Sequence, residues 1–229
     1  MNRSMSLPRL VVIAGLCAGL VLAAPAIAAK EEPPQVTEDG LHLTKQTKTR
    51  LVYVRPGATF TQYNRVAILD CAIEFSKSWL RDYNNSQRDP SRRIGERDLE
   101  RARKDLSADF KKIFTDELAN KGGYQISEGA APDVLVLRPA LINIQVSAPD
   151  LMAPGRSTTF AESAGAMTIY LELWDSATNT ILARVMDAKS DSDIYGQRTS
   201  SVSNRAAAER LMRGWAKELR ERLDVVRGK

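Results

Sequence analysis

The sequence predicts an α/β (α+β) fold, a two-layer sandwich in which a mixed sheet of about five to six strands carries two long helices on one face. Residues 96–121 and 204–225 repeat apolar residues at three- and four-residue spacing, which is the period of a helix with one buried face. Shorter runs are continuously apolar or alternate apolar and polar residues, which indicates strands. Two helices with one apolar stripe each can cover one face of a sheet, so we expect a single helical layer.

The N-terminus predicts a secretory signal peptide. Arg3 and Arg9 give a basic start, residues 10–24 are almost wholly apolar, and Ala26-Ile27-Ala28 supplies the small residues of a cleavage site. An uncleaved anchor is the alternative, but the apolar run is shorter than the roughly 20 residues that a membrane span needs. The pattern therefore favours export with cleavage.

Lipidation of Cys17 is a second alternative for this segment. A lipidated cysteine follows a small residue, whereas Leu16 precedes Cys17 and the cysteine lies inside the apolar run. We therefore expect residues 1–28 to be removed, so that the mature protein begins near Ala29. It is expected to work in the periplasm of a Gram-negative envelope, with a lipid anchor disfavoured.

The composition is that of an ordinary globular domain, with 43% hydrophobic and 27% charged residues. The formal net charge of +5 includes Arg3 and Arg9, which leave with the signal peptide, so it is too small to favour a nucleic-acid partner. Cys71 is the one cysteine left after cleavage and can form no internal disulfide. We expect a buried, inert thiol there, with a reactive thiol as the alternative.

The mature chain is predicted to begin with a flexible tether, followed by a single α/β domain over residues 49–229. Residues 29–48 are polar and lack periodicity, which is typical of a tether. Residues 51–54 predict a short strand that stops at Pro56-Gly57. Residues 66–71 form a compact apolar run, which favours a strand buried on both faces.

The first long helix is predicted over residues 96–121, after a loop at residues 84–91. Two strands are predicted next, over residues 124–126 and 134–146. Pro139 interrupts the longer strand. Because proline lacks an N–H group, we expect it at a sheet edge or a bulge.

A hairpin over residues 165–189 is the clearest strand signal in the chain. Its inward face is predicted to consist of Met167, Ile169, Leu171 and Leu173, and its partly solvated outer face of Tyr170, Glu172 and Trp174. The last element is the helix over residues 204–225, whose stripe predicts that Trp215 is buried and that the helix packs beside the first long helix.

The sequence offers few residues for catalysis. His42 is the only histidine and lies in the predicted tether, so neither a Ser-His-Asp triad nor a histidine zinc site is expected. The HExxH, paired CxxC and glycine-rich phosphate-binding motifs are also missing from the sequence. We therefore expect no catalytic residue, no cofactor and no metal.

A loop over residues 149–165 holds the candidate interaction residues. Asp150 and Glu162 are the best available carboxylate pair, and such a pair can run hydrolysis without histidine. Arg156 and Phe160 are residue types that anchor protein interfaces. In the alternative, the loop folds back on the sheet and Phe160 joins the core. The sequence leaves these two alternatives open, but it favours either of them over catalysis, because solvated loop carboxylates are far more common than catalytic ones.

Residues 77–105 mix basic and acidic side chains at short spacing, which is typical of a solvated helix face with local ion pairs. Binding to anionic lipid headgroups or cell-wall polymers is the alternative. Trp79 and Tyr83 would suit a membrane interface, or they pack the end of the helix.

Four segments carry a resemblance to known proteins: residues 66–69, 131–141, 164–176 and 204–216. Through them the chain, from about residue 51 to residue 226, resembles a bacterial family of unknown function, exported and often lipoprotein-like. More loosely, the element order is similar to that of the curli secretion lipoprotein, the amino-terminal domain of TolB and the lipoproteins that activate peptidoglycan synthases. The resemblance implies an adaptor or envelope-assembly role.

The sequence thus predicts a non-catalytic exported domain that serves as a binding or assembly protein of the cell envelope. The expected partner is an envelope protein or a cell-wall component, with peripheral membrane association as an alternative and no nucleic acid. A periplasmic hydrolase that acts through Asp150 and Glu162 is the alternative function.

Overall fold

The computed structural model describes residues 32–146, 159–160, 165–190, 198–199 and 201–228, and the chain from Pro34 onward forms one compact unit. The predicted signal peptide lies outside the described residues. The described strands are β1 (His42–Gln46), β2 (Arg50–Val54), β3 (Arg65–Ile68), β4 (Ala72–Phe75), β5 (Gln125–Ile126), β6 (Val134–Val146), β7 (Thr159–Phe160), β8 (Gly165–Asp175), β9 (Thr180–Ser190) and β10 (Arg198–Thr199). The described helices are α1 (Lys77–Ser86), α2 (Glu96–Thr115) and α3 (Ser201–Val226).

One mixed sheet of eight strands forms the centre of the fold. Its order is β1-β2-β9-β8-β6-β3-β5, and β4 pairs with β6 on the same side as β3. The β3–β5, β3–β6 and β4–β6 pairs are parallel, and the other pairs of this sheet are antiparallel. The predicted mixed α/β architecture is confirmed. The sheet is wider than the predicted five to six strands because β1 and β4 are additional strands.

The prediction of a flexible tether over residues 29–48 is wrong for residues 42–46, which form strand β1. Leu41 is fully buried and packs with Tyr53 and Ile181, while β1 pairs with β2 along its length. Edge strand β1 has exposed polar residues around a single half-buried leucine, Leu43, so it carries no periodic signal. The sheet therefore begins earlier than its sequence pattern indicates.

Pro139 lies in a central strand, beside a break in the neighbouring strand. β3 ends at Ile68 and β4 begins at Ala72, and both pair with β6. The N–H of Leu69 donates to the carbonyl of Leu137, and alternate residues of a strand direct their polar groups to the same side. The nitrogen of Pro139 therefore faces the break, where β6 has no strand partner to receive an N–H bond.

The predicted strand over residues 66–71 is also shorter than expected. β3 alternates half-buried and buried residues instead of being buried on both faces, and Leu69 is exposed. Cys71 is buried, as predicted.

The helices form one layer over one face of the sheet. α2 continues as a π-helical segment, Asp116–Lys121, so that together they span the predicted 96–121. The helix ends at Gly122-Gly123, where Gly123 has a φ of 71°. α3 packs against α2 and β8, and Trp215 is only 5% exposed, which confirms its predicted burial. α1 is an additional helix. Its ten residues give an apolar repeat only about three turns to show itself, and its last residues, Asn84 to Ser86, are types that favour loops.

The core lies between this layer and the hairpin of β8 and β9. The predicted inward residues Met167, Ile169, Leu171 and Leu173 are all buried in it, together with residues of α2 and α3. The predicted hairpin and its inward face are therefore confirmed. Within the described residues, no helix is long and apolar enough to cross a membrane.

Candidate functional site

Of the predicted interaction loop, residues 149–165, the structure describes only residues 159, 160 and 165. Asp150, Arg156 and Glu162 lie outside the described residues, so the proposed carboxylate pair is not located. Phe160 lies in β7, where its backbone pairs with Arg198 of β10 in a separate two-stranded sheet. Part of the predicted loop is thus a short strand, and its role in interaction stays a prediction.

An apolar groove lies where the sheet continues past α3 into β9 and β2. Its floor is formed by Val52 and Val54 of β2 and Val185 of β9, and its wall by Leu219 and Val226 of α3. The other apolar lining residues are Phe60, Ile169, Leu171, Leu173, Ala183, Trp215 and Leu223. The cavity of about 430 Å³ falls in the range of small-molecule sites, roughly 300–1,000 Å³.

A cluster of charged residues borders this groove and is organised around Arg50. Arg50 Nη2 lies 2.7 Å from Asp187 Oδ2 and 2.7 Å from Glu218 Oε2, and Nη1 donates to Glu218 Oε1. Trp215 donates its indole N–H to Asp187 Oδ2 at 2.7 Å, and Lys189 Nζ lies 3.5 Å from the same oxygen. The cluster therefore joins β2, β9 and α3 at one place.

Both carboxylates of the cluster are held ionised. Burial favours the protonated form of Asp187, but hydrogen bonds from Arg50 and Trp215 outweigh it and lower the pKa of Asp187 below its ordinary value. The hydrogen bonds from Arg50 likewise lower the pKa of Glu218. The same bonds to Asp187 and Glu218 raise the pKa of Arg50.

This arrangement suits binding better than proton transfer. A carboxyl group that acts as a general acid near neutral pH needs a raised pKa, as in glycosidases. Asp187 and Glu218 have lowered pKa values, and both already accept hydrogen bonds from Arg50. The two carboxylates therefore hold the Arg50 side chain in place and fix the edge of the groove.

Cys71 and His42 lie outside this groove. Burial raises the pKa of Cys71 to about 12, so its thiol is protonated and unreactive at neutral pH, as the sequence suggests. His42 is exposed in β1. Among the described residues, no group of three His, Cys, Asp or Glu side chains is placed to hold a metal ion.

The outer face of the hairpin holds a second polar cluster, around Glu172. Glu172 is 6% exposed and accepts hydrogen bonds from Tyr170 Oη at 2.7 Å, Trp174 Nε1 at 3.0 Å and Arg184 Nε at 3.0 Å. Arg184 also bonds Asp39 at 2.6 Å. Glu172 is thus buried in a fully bonded network instead of being solvated, and the network fastens the first described segment to the hairpin.

The aromatic residues of the mixed-charge segment pack against one another. Trp79 stacks with Phe75 on one side and with Tyr83 on the other, and its indole N–H donates to the carbonyl of Val146 at 2.9 Å. Of the two interpretations of Trp79 and Tyr83, packing of the helix end is therefore the one that this geometry supports.

Comparison with known proteins identifies a family but no activity. A family model described as "Protein of unknown function (DUF3313)" matches residues 38–219. No curated protein matches the chain.

Several solved structures are similar to the chain at low identity. A PelC dodecamer from Paraburkholderia phytofirmans is 13% identical with a TM-score of 0.38, over 72% of this chain and 96% of PelC. A DUF330 protein from Xanthomonas campestris is 12% identical with a TM-score of 0.39, over 76% of this chain and 90% of that protein. A homologue of a putative neuraminyllactose-binding hemagglutinin from Helicobacter pylori is 13% identical with a TM-score of 0.29, over 71% of this chain and 81% of that protein. These values are too low for the likenesses to carry an argument about function.

Proposed function

The chain belongs to the DUF3313 family of proteins of unknown function, and on this premise we propose that it is an exported, non-catalytic binding protein of the cell envelope. The family membership confirms the resemblance to a family of unknown function. The proposal goes further, because it assigns a place and a mode of action.

The groove between α3 and the strands β2 and β9 is the observation that carries the proposal. It is concave, mostly apolar and bordered by a few fixed charges, which is the usual composition of a ligand site. Its two carboxylates are balanced by Arg50 and Lys189 together and are not poised for acid catalysis. A groove of this kind holds a ligand without transforming it.

The N-terminal sequence supports the place of action. The basic, apolar and small residues of positions 1–28 follow the order of a cleaved signal peptide, so we propose a mature chain that begins near Ala29 and works in the periplasm. The interaction loop with Asp150, Arg156, Phe160 and Glu162 is proposed as a second contact surface, for an envelope protein or a cell-wall component.

A neutral fluorophore tests the groove. Phenylnaphthylamine brightens when it enters an apolar site, so titration of the exported protein should give saturable fluorescence at one site per chain. Val185→Trp fills the groove and should weaken binding at least tenfold. Val225→Trp adds the same indole to a neighbouring, 74% exposed position of α3 that does not line the groove, and should bind as wild type does.

Melting curves of both variants test whether they are folded. Val226→Trp offers a second, more exposed position in the groove if Val185→Trp is unstable. Wild-type protein that leaves the fluorescence unchanged, or equal binding by wild type and the groove variants, would show that the groove is not a binding site.

A further inference from the structure

We propose that the groove accommodates an acyl chain of an anionic phospholipid, with Lys45 and Arg222 at its rim facing the headgroup. This inference rests on the proposed binding function and names the ligand of the same groove. Three features of the groove carry it: the balance of charge at its border, the pairing of the strands in its floor and the chemistry of its walls.

The charge that remains at the border of the groove is positive. Asp187 and Glu218 both bond Arg50, and Asp187 also has Lys189 at 3.5 Å. Arg222 is 70% exposed, and its guanidinium lies 3.9 Å from Glu218, a carboxylate that Arg50 already engages. Lys45 is exposed and forms no ion pair among the described residues. The groove therefore offers two accessible cations to an anionic head.

The floor of the groove offers no backbone hydrogen bonds to an extended peptide. β2 pairs with β1 on one side and β9 on the other, and β9 pairs with β2 and β8. A peptide strand in the groove would therefore leave its own N–H and C=O groups unpaired against apolar side chains. An acyl chain has no such groups, so the same surface accepts it without that cost.

Most of the apolar side chains of the floor and the wall are aliphatic. Val52, Val54 and Val185 project from the sheet, and Leu219 and Val226 project from α3, so an extended hydrocarbon chain between helix and strands would contact side chains along its length.

A second copy of the chain is the competing occupant. A two-fold interface brings the same patch of both copies together, so the cations Lys45 and Arg222 of one copy would approach those of the other. The two carboxylates of the border, Asp187 and Glu218, are already balanced by Arg50 and Lys189, so neither is left to oppose these cations. The charge pattern therefore favours an anionic ligand over self-association at this groove.

Soluble short-chain phospholipids test the inference. Dioctanoyl phosphatidylglycerol and dioctanoyl phosphatidylcholine, both kept below their micelle concentrations, are titrated against protein loaded with phenylnaphthylamine. The anionic lipid should displace the fluorophore at a concentration about fivefold lower than the zwitterionic lipid, as expected for a cation near an anionic headgroup. Raising the salt concentration should reduce this preference, because the cations are exposed.

Charge removal at the rim gives the decisive comparison. The double variant Lys45→Gln/Arg222→Gln should lose the preference for phosphatidylglycerol, with displacement by each lipid expressed relative to the phenylnaphthylamine affinity measured for the same variant. The matched variant Lys48→Gln/Lys217→Gln removes the same charge from exposed positions next to β1 and on α3 that do not line the groove, and should keep the preference.

The outcomes separate this inference from the proposed function. Failure of phenylnaphthylamine to bind overturns both. Fluorophore binding with equal displacement by the two lipids, or equal loss of preference in the rim and matched variants, overturns the lipid assignment alone. A concentration-dependent dimer in sedimentation that Val185→Trp abolishes assigns the groove to a second copy and likewise overturns it.

Discussion

Trp215 of α3 donates its indole N–H to Asp187 of β9, with 2.7 Å between the nitrogen and Oδ2. Asp187 is also the direct cross-strand neighbour of Arg50 in the pairing of β2 with β9. One buried carboxylate thus connects the C-terminal helix to the part of the sheet that α3 does not cover. The same contact fixes the edge of the groove, so stability and the proposed binding function depend on it together.

Loss of the Asp187 carboxylate should destabilise the protein strongly. Asp187→Ala leaves the Arg50 guanidinium, whose side chain is only 16% exposed, with Glu218 as its remaining partner. The change also leaves the Trp215 N–H without its acceptor, and loss of a buried hydrogen bond to a charged group costs about 1.5–3 kcal/mol of unfolding free energy. Urea unfolding followed by circular dichroism measures it. Asp70→Ala, at a 90% exposed carboxylate, serves as the control and should change stability by no more than about 0.5 kcal/mol. Equal stabilities of the two variants would contradict the role given to Asp187.

The Arg50 cluster should also make stability depend on pH in the acid range. Asp187 and Glu218 have lower pKa values in the folded protein than in the unfolded chain, where the values are about 3.9 and 4.3. The stability they contribute is therefore complete above roughly pH 5 and is lost as the pH falls through the unfolded and then the folded pKa values. Urea unfolding between pH 3 and pH 7 should show this fall in wild type. Asp187→Asn should lose less unfolding free energy than wild type between pH 5 and pH 3. If its unfolding free energy fell as steeply with pH as that of wild type, the Asp187 carboxylate would not be a source of the pH dependence.

The elements that the sequence predicts well are those with a long local pattern. α2 and α3 repeat their apolar residues over five or more turns, and the hairpin alternates inward and outward residues along both strands. These patterns are sufficient to place Leu171 and Trp215 in the core. β1 and α1 lack such a pattern: β1 is a polar edge strand, and α1 is held by the Ser76 cap and by stacking of Trp79.

The charged cluster could be predicted only in part. Asp187 stands at an inward position of the hairpin, and Arg50 continues the alternation of Val52 and Val54, so each sequence segment shows one inward charge. Arg50 and Asp187 are 137 residues apart, so their pairing could not be predicted from local sequence: no local pattern indicates that β2 lies beside β9. The groove itself depends on where α3 ends relative to the sheet, which is a tertiary property.

A charge on the inward face of the hairpin should disrupt the core. Leu171→Asp places an unpaired carboxylate at a position that is 4% exposed, among the apolar residues of the helices. Burial of an unpaired charge costs several kcal/mol, which is a large part of the stability of a typical domain. Thermal denaturation should show a large loss or no cooperative transition. Ala177→Asp, in the exposed turn of the same hairpin, should melt close to wild type, and a similar result for Leu171→Asp would show that the register is wrong.

Cleavage of the signal peptide should occur after Ala28. The small residues Ala26 and Ala28 follow the apolar run at the distance expected of a signal peptidase site. Mass spectrometry of the protein recovered from exporting cells should give an N-terminus at Ala29. A chain that begins at Met1, or a diacylated Cys17, would contradict this prediction.

The C-terminal helix should be an integral part of the domain and not a detachable arm. Trp215 is buried against the sheet, and Met212 and Ala216 on the same helix are fully buried in the core. Trp215→Ala should therefore lower the free energy of unfolding by about 3–5 kcal/mol through lost packing. Trp215→Phe keeps an aromatic ring but lacks the N–H donor to Asp187, so it should cost less, about 1.5–3 kcal/mol, as expected for a hydrogen bond to a charged group. A chain truncated at Ser203 should not fold. Urea unfolding with circular dichroism compares all three, and cooperative unfolding of the truncated chain at the wild-type midpoint would show that α3 contributes nothing to the core.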